Sequence, residues 1–246
     1  MLQKKSKSYN LKAVLWAALL VKIMRMRKKK HLGERLEAVS DYLYISNSDD
    51  RNFNTAINDK DYIDFANWFG KEQPLYLEIG CGKGRFAVEF AKANPDINLI
   101  AVERESNVIV SACELAKEYG LTNLKFIKAG AEYLERHIKE KSIERIFLNF
   151  SCPFPKKKYA SHRLTAENFL KIYRNILKPG GEIHQKTDNM QLFEFSIEQL
   201  SNGGFALKNV SLDLHNSNFE GNIVTEYENR FVSMGLPIYR LEAFLK

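Results

Sequence analysis

From Leu75 onward, short apolar runs alternate with stretches in which apolar residues recur every three or four positions. A run of about five apolar residues bounded by turn residues reads as a buried strand, and the longer period reads as one face of a helix. Strands are expected over residues 75–79, 99–102, 124–128, 145–150 and 183–187. Between them, residues 86–93 form a helix stopped by Pro95, and Val108, Ile109, Ala112, Leu115, Ala116 and Tyr119 form a stripe ended by Gly120. A helix is also expected between the third and fourth strands. Phe169, Leu170, Tyr173, Ile176 and Leu177 predict another, closed by Pro179-Gly180-Gly181, and Phe193, Ile197 and Leu200 one more, ended by Gly203-Gly204. Two last β segments are expected near 205–214 and 229–240, making seven strands. Such alternation predicts an α/β fold: a doubly wound, mostly parallel seven-stranded sheet with helices on both faces. Ligands in such sheets sit at the carboxyl ends of the strands, near the switch point. Upstream, Tyr62, Ile63, Phe65, Ala66 and Phe69 share a helical face within 61–70, whereas the polar residues 41–60, with Asn47-Ser48-Asp49-Asp50, read as a loop.

The first 31 residues differ in kind. They hold ten Lys and Arg residues and no acid; removing these ten from the total of 37 leaves 27 bases against 30 acids. The net charge of +7 is therefore the property of a basic arm on a near-neutral body. Such an arm suits a polyanionic partner. The apolar run from Ala13 to Val21 is nine residues long, well short of the roughly 20 that span a bilayer. No small-x-small cleavage site follows it, as a signal peptide would require. Two readings stand: Met24 or Met26 is the translation start, or Leu11, Val14, Leu15, Ala18 and Leu19 form an amphipathic docking helix. The expected organisation is an N-terminal extension over 1–23, a basic arm and loop over 24–60, and one domain over 61–246. Hydrophobic residues at 45% and charged residues at 27% exclude a disordered chain and a polytopic membrane protein. Three scattered cysteines without a C-x-x-C pair give neither a disulfide framework nor a metal site, which fits a reducing, cytoplasmic compartment.

Candidate chemistry begins at Glu78-Ile79-Gly80-Cys81-Gly82-Lys83-Gly84, where the first strand meets the first helix. Glycines allow positive φ and close approach of backbone to a ligand. The spacing is Gly-x-Gly-x-Gly, not the Gly-x-Gly-x-x-Gly that seats a dinucleotide pyrophosphate. Glu78 would repel a pyrophosphate and suits the ammonium and sulfonium of S-adenosylmethionine. Glu103 closes the second strand, where a carboxylate can accept both hydroxyls of an adenosine ribose. This pattern resembles the Rossmann-like class I S-adenosylmethionine-dependent methyltransferases.

Three further segments leave strand ends at the same face or precede the last strand: Asn149-Phe150-Ser151-Cys152-Pro153-Phe154-Pro155-Lys156-Lys157-Lys158, His184-Gln185-Lys186-Thr187-Asp188-Asn189 and Thr225-Glu226-Tyr227-Glu228. With the basic Met-Arg-Lys start they resemble the bacterial tRNA (guanine-N7)-methyltransferases, from about Met24 to the C-terminus. The resemblance implies S-adenosylmethionine as cofactor, tRNA as partner, a monomer or homodimer, and methyl transfer to guanine N7 at position 46 of the variable loop. Residue by residue, it implies cofactor contacts at Glu78, Gly80, Gly82, Gly84, Glu103, Gly130 and Cys152. It implies substrate contacts at Lys156, Asp188, Thr225, Glu226, Tyr227 and Glu228, and catalytic roles at Asp188 and Cys152. Tyr227 or Phe154 would offer a face for stacking the base. Lys156, Lys157, Lys158, His162 and Arg163 form a basic loop suited to tRNA phosphates. His31, His137 and His215 show no partner spacing, and His184 reads as a core histidine.

Two positions depart from the family pattern. Cys152 stands where the family has an aspartate before Pro-Trp-Pro, and a thiol, mostly neutral at pH 7, does not supply that charge. Gly130 stands where the family has an acid near the adenine, with Glu132 and Asp188 as possible compensation. The alternative these losses raise is a catalytically impaired tRNA-binding protein that keeps the fold. A cysteine near this strand end also brings to mind nucleophilic attack on cytosine, against which the guanine-type segments argue.

Overall fold

The computed structural model describes residues 28–46 and 58–246; the two readings of residues 1–23 fall outside them. Among the described residues, eight strands form one sheet: β1 (Leu43–Ile45), β2 (Leu75–Ile79), β3 (Asn98–Val102), β4 (Leu124–Lys128), β5 (Ile143–Asn149), β6 (Leu177–Thr187), β7 (Phe205–Ser211) and β8 (Tyr239–Leu245). Their order is β1-β4-β3-β2-β5-β6-β8-β7. Strand β8 runs antiparallel to β6 and β7, and the other pairings are parallel. The helices are α1 (Leu32–Glu37), α2 (Phe65–Phe69), α3 (Arg85–Ala93), α4 (Ser106–Glu118), α5 (Leu134–His137), α6 (Glu167–Ile176), α7 (Met190–Asn202) and α8 (Glu226–Ser233).

A strand sends alternate side chains to opposite faces, so a sheet covered on both sides reads as unbroken apolar runs. Leu77, Ile79, Ile100 and Val102 enter one core with Leu170 and Tyr173 of α6 and Phe193 of α7. Leu99, Ala101, Leu124 and Phe126 enter the other with Phe86 and Phe90 of α3 and Ile109 and Ala112 of α4. From β2 the strand order proceeds one way to β3 and β4 and the other way to β5 and β6. The crevice between the ends of β2 and β5 is thus the switch point at which such sheets bind ligands. No helix among the described residues is long and apolar enough to cross a membrane.

The structure corrects four expectations. The sheet has eight strands rather than seven, because part of the polar 41–60 segment pairs as β1, with Leu43 opposite Phe126. Three residues are too few for a period-two pattern to register. The β segment expected over 229–240 is instead mostly α8, and β8 begins only at Tyr239. Thr225 and Glu228 form a capping box there, a helix-start signal that outweighs the aromatic and β-branched residues behind it. Pro179-Gly180-Gly181 lies within β6, where the register jumps between Ile143↔Leu177 and Arg145↔Glu182, so the helix ends earlier, at Ile176. The helical face over 61–70 contracts to α2, capped by Asp64 accepting from the Asn67 amide at 3.1 Å.

Candidate functional site

The turn after β2 is tied to the end of β3: the amides of Gly80 and Cys81 both donate to the Val102 carbonyl, at 2.8 and 3.1 Å. Gly80 and Gly82 have φ of 80° and 58°, and a Cβ built on either meets open space, leaving room for a ligand against bare backbone. Gly84, at φ 79°, differs. A Cβ there would lie 2.6 Å from Ala112 Cβ, so this glycine lets α3 and α4 close on each other. Glu103 accepts from the Gly82 amide at 3.3 Å and from the Glu105 amide at 3.1 Å, one bond per oxygen, and keeps lone pairs for further donors.

Glu78 is only 2% exposed. Its Oε1 accepts from Asn149 Nδ2 at 3.1 Å, and its Oε2 is buried without a hydrogen-bond partner. Burial raises its pKa to about 7; the Asn149 bond and the Lys186 charge pull it down, and Glu103 pushes it up. A buried, half-satisfied carboxylate is costly, and a cationic ligand would supply what Oε2 lacks. Near the end of β4, a Cβ built on Gly130 would fall 2.5 Å from the Glu132 carboxylate. Glu132 thus folds back over the place where a side chain at 130 would stand.

The second half of the site comes from β5, β6 and α8. Asp188 follows the end of β6, half-buried, with its pKa raised by burial. Cys152 is exposed, and so is Lys156. Phe150 and Phe154 adopt positive φ of 51° and 41°, conformations uncommon for bulky residues. Phe150 is held there by its amide donating to the Lys186 carbonyl at 2.8 Å. Its ring stacks with those of Tyr227 and Phe231, with centroids 6.4 and 6.1 Å away. Tyr227 is 59% exposed. The backbone of Glu226 opens α8.

Glu228 points the other way. It is fully buried, and its Oε2 accepts from Lys186 Nζ at 2.7 Å and from the Thr225 amide at 3.4 Å. Its Oε1 accepts from His215 Nε2 at 2.8 Å and from Asn222 Nδ2 at 2.5 Å. Burial pushes its pKa up, but the Lys186 charge and these hydrogen bonds prevail and hold it below the usual value. Four donors use the lone pairs of a carboxylate, which occupies Glu228 within the protein. Arg163 is likewise turned inward. It is buried, donates to the Pro153 and Phe154 carbonyls at 3.0 and 3.1 Å, and lies over the Phe195 ring. The arginine of the basic loop therefore clamps the Pro153–Phe154 turn instead of facing phosphate, while Lys156, Lys157, Lys158 and His162 are exposed. His184 hydrogen-bonds Glu182 at 2.9 Å and packs edge-on to Phe147, as a core histidine should.

Sequence reasoning gave no role to Asn149, Lys186 or His215. The available signal was polarity at alternate positions: Glu78, Asn149, His184 and Lys186 share one sheet face. With Asn222, several of them line a cavity of about 300 Å³ beside α3.

The chain matches, over residues 72–241, the model of the family described as “Putative methyltransferase”. It is 50% identical over 184 residues to a tRNA (guanine-N(7)-)-methyltransferase of Macrococcus caseolyticus (strain JCSC5402), covering 75% of this chain and 87% of that protein. Among solved structures, the 16S rRNA methyltransferase KamB aligns with a TM-score of 0.53 at 16% identity, over 82% of this chain and 95% of that one. A structure titled as an antibiotic related methyltransferase aligns with a TM-score of 0.52 at 18% identity, over 74% and 91%. At these identities the structural likenesses establish the class I methyltransferase fold and nothing finer.

Proposed function

Because the chain belongs to the tRNA (guanine-N7)-methyltransferase family, we propose that it transfers the methyl group of S-adenosylmethionine to N7 of a guanine in tRNA, at position 46 of the variable loop. The observation that carries this reading is the buried Glu78 carboxylate with one unpartnered oxygen, set at the switch point beside open glycines. S-adenosylmethionine supplies a methyl group on a cationic sulfur together with an ammonium, and Glu78 is the residue that would meet that positive charge. Glu103 would take the ribose hydroxyls, and Glu132, lying over Gly130, would face the adenine.

N7 of guanine carries a free lone pair at neutral pH, so no residue has to remove a proton before attack. The chain's task is therefore to hold the base in line with the methyl group and to stabilise the positive charge that develops on the ring. Asp188, at the carboxyl end of β6, is the residue for the second task and also hydrogen-bonds the guanine edge. Tyr227 offers a stacking face for the exposed base. Lys156 and its neighbours hold phosphates near the site. A reaction that needs no base also tolerates cysteine at 152, and the Glu132 carboxylate over Gly130 speaks against a merely binding protein. A cytoplasmic location follows from this substrate.

The test is methyl transfer from labelled S-adenosylmethionine to unmodified bulk tRNA, followed by nucleoside analysis. Wild type should yield 7-methylguanosine. Asp188→Ala should lower kcat/KM on the order of 100-fold while leaving cofactor affinity nearly unchanged. Binding of tRNA without any methylated product would replace the enzyme with the binding-only reading.

A further inference from the structure

Lys186 lies near the end of β6 with its ammonium buried, and each of its three N–H groups has a partner: Glu228 Oε2 at 2.7 Å, the Ile223 carbonyl at 2.8 Å and Asn222 Oδ1 at 3.0 Å. All three belong to the segment that leads into and opens α8. An ammonium has three donors and no acceptor, so this one is saturated by a single stretch of chain. On the same sheet face, Lys186 pairs in register with Asn149 of β5, and Asn149 donates to Glu78. The cofactor acid and the guanine-facing segment are thus joined through two adjacent strand positions.

We propose that Lys186 is a positioning residue that serves both halves of the site, pinning the segment that carries Thr225 and Tyr227 to the sheet while holding positive charge beside Glu78. The proposal rests on the methyltransferase reading above and adds to it a residue whose three N–H groups are all engaged within the protein. Its physical basis is sharing. Losing Lys186 would take from the buried Glu228 its ammonium partner and leave it His215, Asn222 and the Thr225 amide, a costly change for a carboxylate in the interior. The same charge, beside the Asn149 hydrogen bond, favours the ionised form of Glu78. The groups facing Glu78 are Lys186 from β6, Asn149 from β5, Glu103 from beyond β3 and the Cys81 thiol of its own turn. Those facing Lys186 are Glu228, Asn222, Glu78, Arg240 of β8 and the Phe86 ring of α3.

The test compares wild type, Lys186→Met, Lys186→Arg and the double variant Lys186→Met/Glu228→Gln. The readouts are calorimetric titration of S-adenosylmethionine between pH 6 and 9, steady-state kinetics on unmodified tRNA, and hydrogen exchange over residues 212–233. Wild-type cofactor affinity should rise with pH through about 7, where Glu78 ionises. Lys186→Met should move that midpoint to higher pH, raise KM for tRNA at least tenfold and speed exchange over 212–233. The double variant removes both buried charges, so it should stay folded even if Lys186→Met loses stability, and keep the shifted midpoint and raised KM. Lys186→Arg should retain the midpoint, because its charge remains, and lose the KM, because a planar fork cannot reproduce the three-way fit. A folded Lys186→Met or double variant with wild-type midpoint and wild-type KM overturns the proposal. A wild type that forms no 7-methylguanosine would refute the underlying reading instead. The midpoint and the exchange rates would still report on Lys186.

Discussion

At the scale of single residues, Glu78 is a buried carboxylate with one oxygen unpartnered. Its pKa is raised from 4.5 to about 7 by burial, a penalty of roughly 3 kcal/mol on the ionised form at neutral pH and above. A carboxyl group with a raised folded-state pKa binds more protons folded than unfolded between those values. The stability it contributes is therefore present below about pH 4.5 and lost as pH rises through about 7. Thermal unfolding of the cofactor-free protein should show this loss, and Glu78→Gln should remove the part of the pH slope that falls in this window. The same variant should bind S-adenosylmethionine at least about tenfold more weakly above pH 7, for want of a countercharge. Unchanged affinity there would detach Glu78 from the cofactor. A cation at Oε2 would relieve this burial cost, as the proposed cofactor role of Glu78 requires.

At the scale of elements, the loop after β5 and the start of α8 are shaped by side chains that face inward. Arg163 clamps the carbonyls of Pro153 and Phe154, which fixes a turn whose Phe154 has positive φ. Arg163→Lys should keep the charge and lose the two-pronged clamp. Methyl transfer should then fall on the order of tenfold through a displaced loop, while the salt dependence of tRNA binding stays as in wild type. In Arg163→Gln, which removes the charge, a reduced salt slope would mean that Arg163 meets phosphate after all. The opening of α8 follows the same logic: Thr225 and Glu228 cap the helix reciprocally, and the buried ion pair from Lys186 holds that cap against the sheet.

At the scale of the whole molecule, charge is divided between an arm and a body. Ten bases in residues 1–31 account for the net +7, and the rest of the chain is slightly acidic. Polyanion binding releases counterions in proportion to the phosphates neutralised. Replacing Arg25, Arg27, Lys28 and Lys30 by Gln should weaken tRNA binding and reduce its log–log salt slope by up to about 3. Cofactor affinity should not change. An unaltered slope would assign the phosphate contacts to Lys156, Lys157 and Lys158 instead.

The sequence by itself determined the layered α/β architecture, because buried parallel strands must be apolar throughout and the helices between them must repeat every 3.6 residues. It also determined the positions of Glu78, Glu103 and Asp188 at strand ends, because turn chemistry and strand length are local properties. Strand β1 was illegible, since its pairing with β4 is made by tertiary contact and its three residues carry no period. Helix α8 reads along the chain as strand, because its aromatic and β-branched residues favour strand locally and only the Thr225–Glu228 capping box marks a helix start. Only the tertiary structure decided where side chains turn. Glu228 and Arg163 look like ligands for guanine and phosphate along the chain, yet they face inward, where an ammonium 42 residues away holds Glu228 and two carbonyls of its own loop hold Arg163. Lys186 shows the converse, a polar strand position within the His184–Asn189 segment whose partners lie 36 to 42 places away. Distance along the chain hides such partners, and a buried charge keeps its place only when the fold brings them to it.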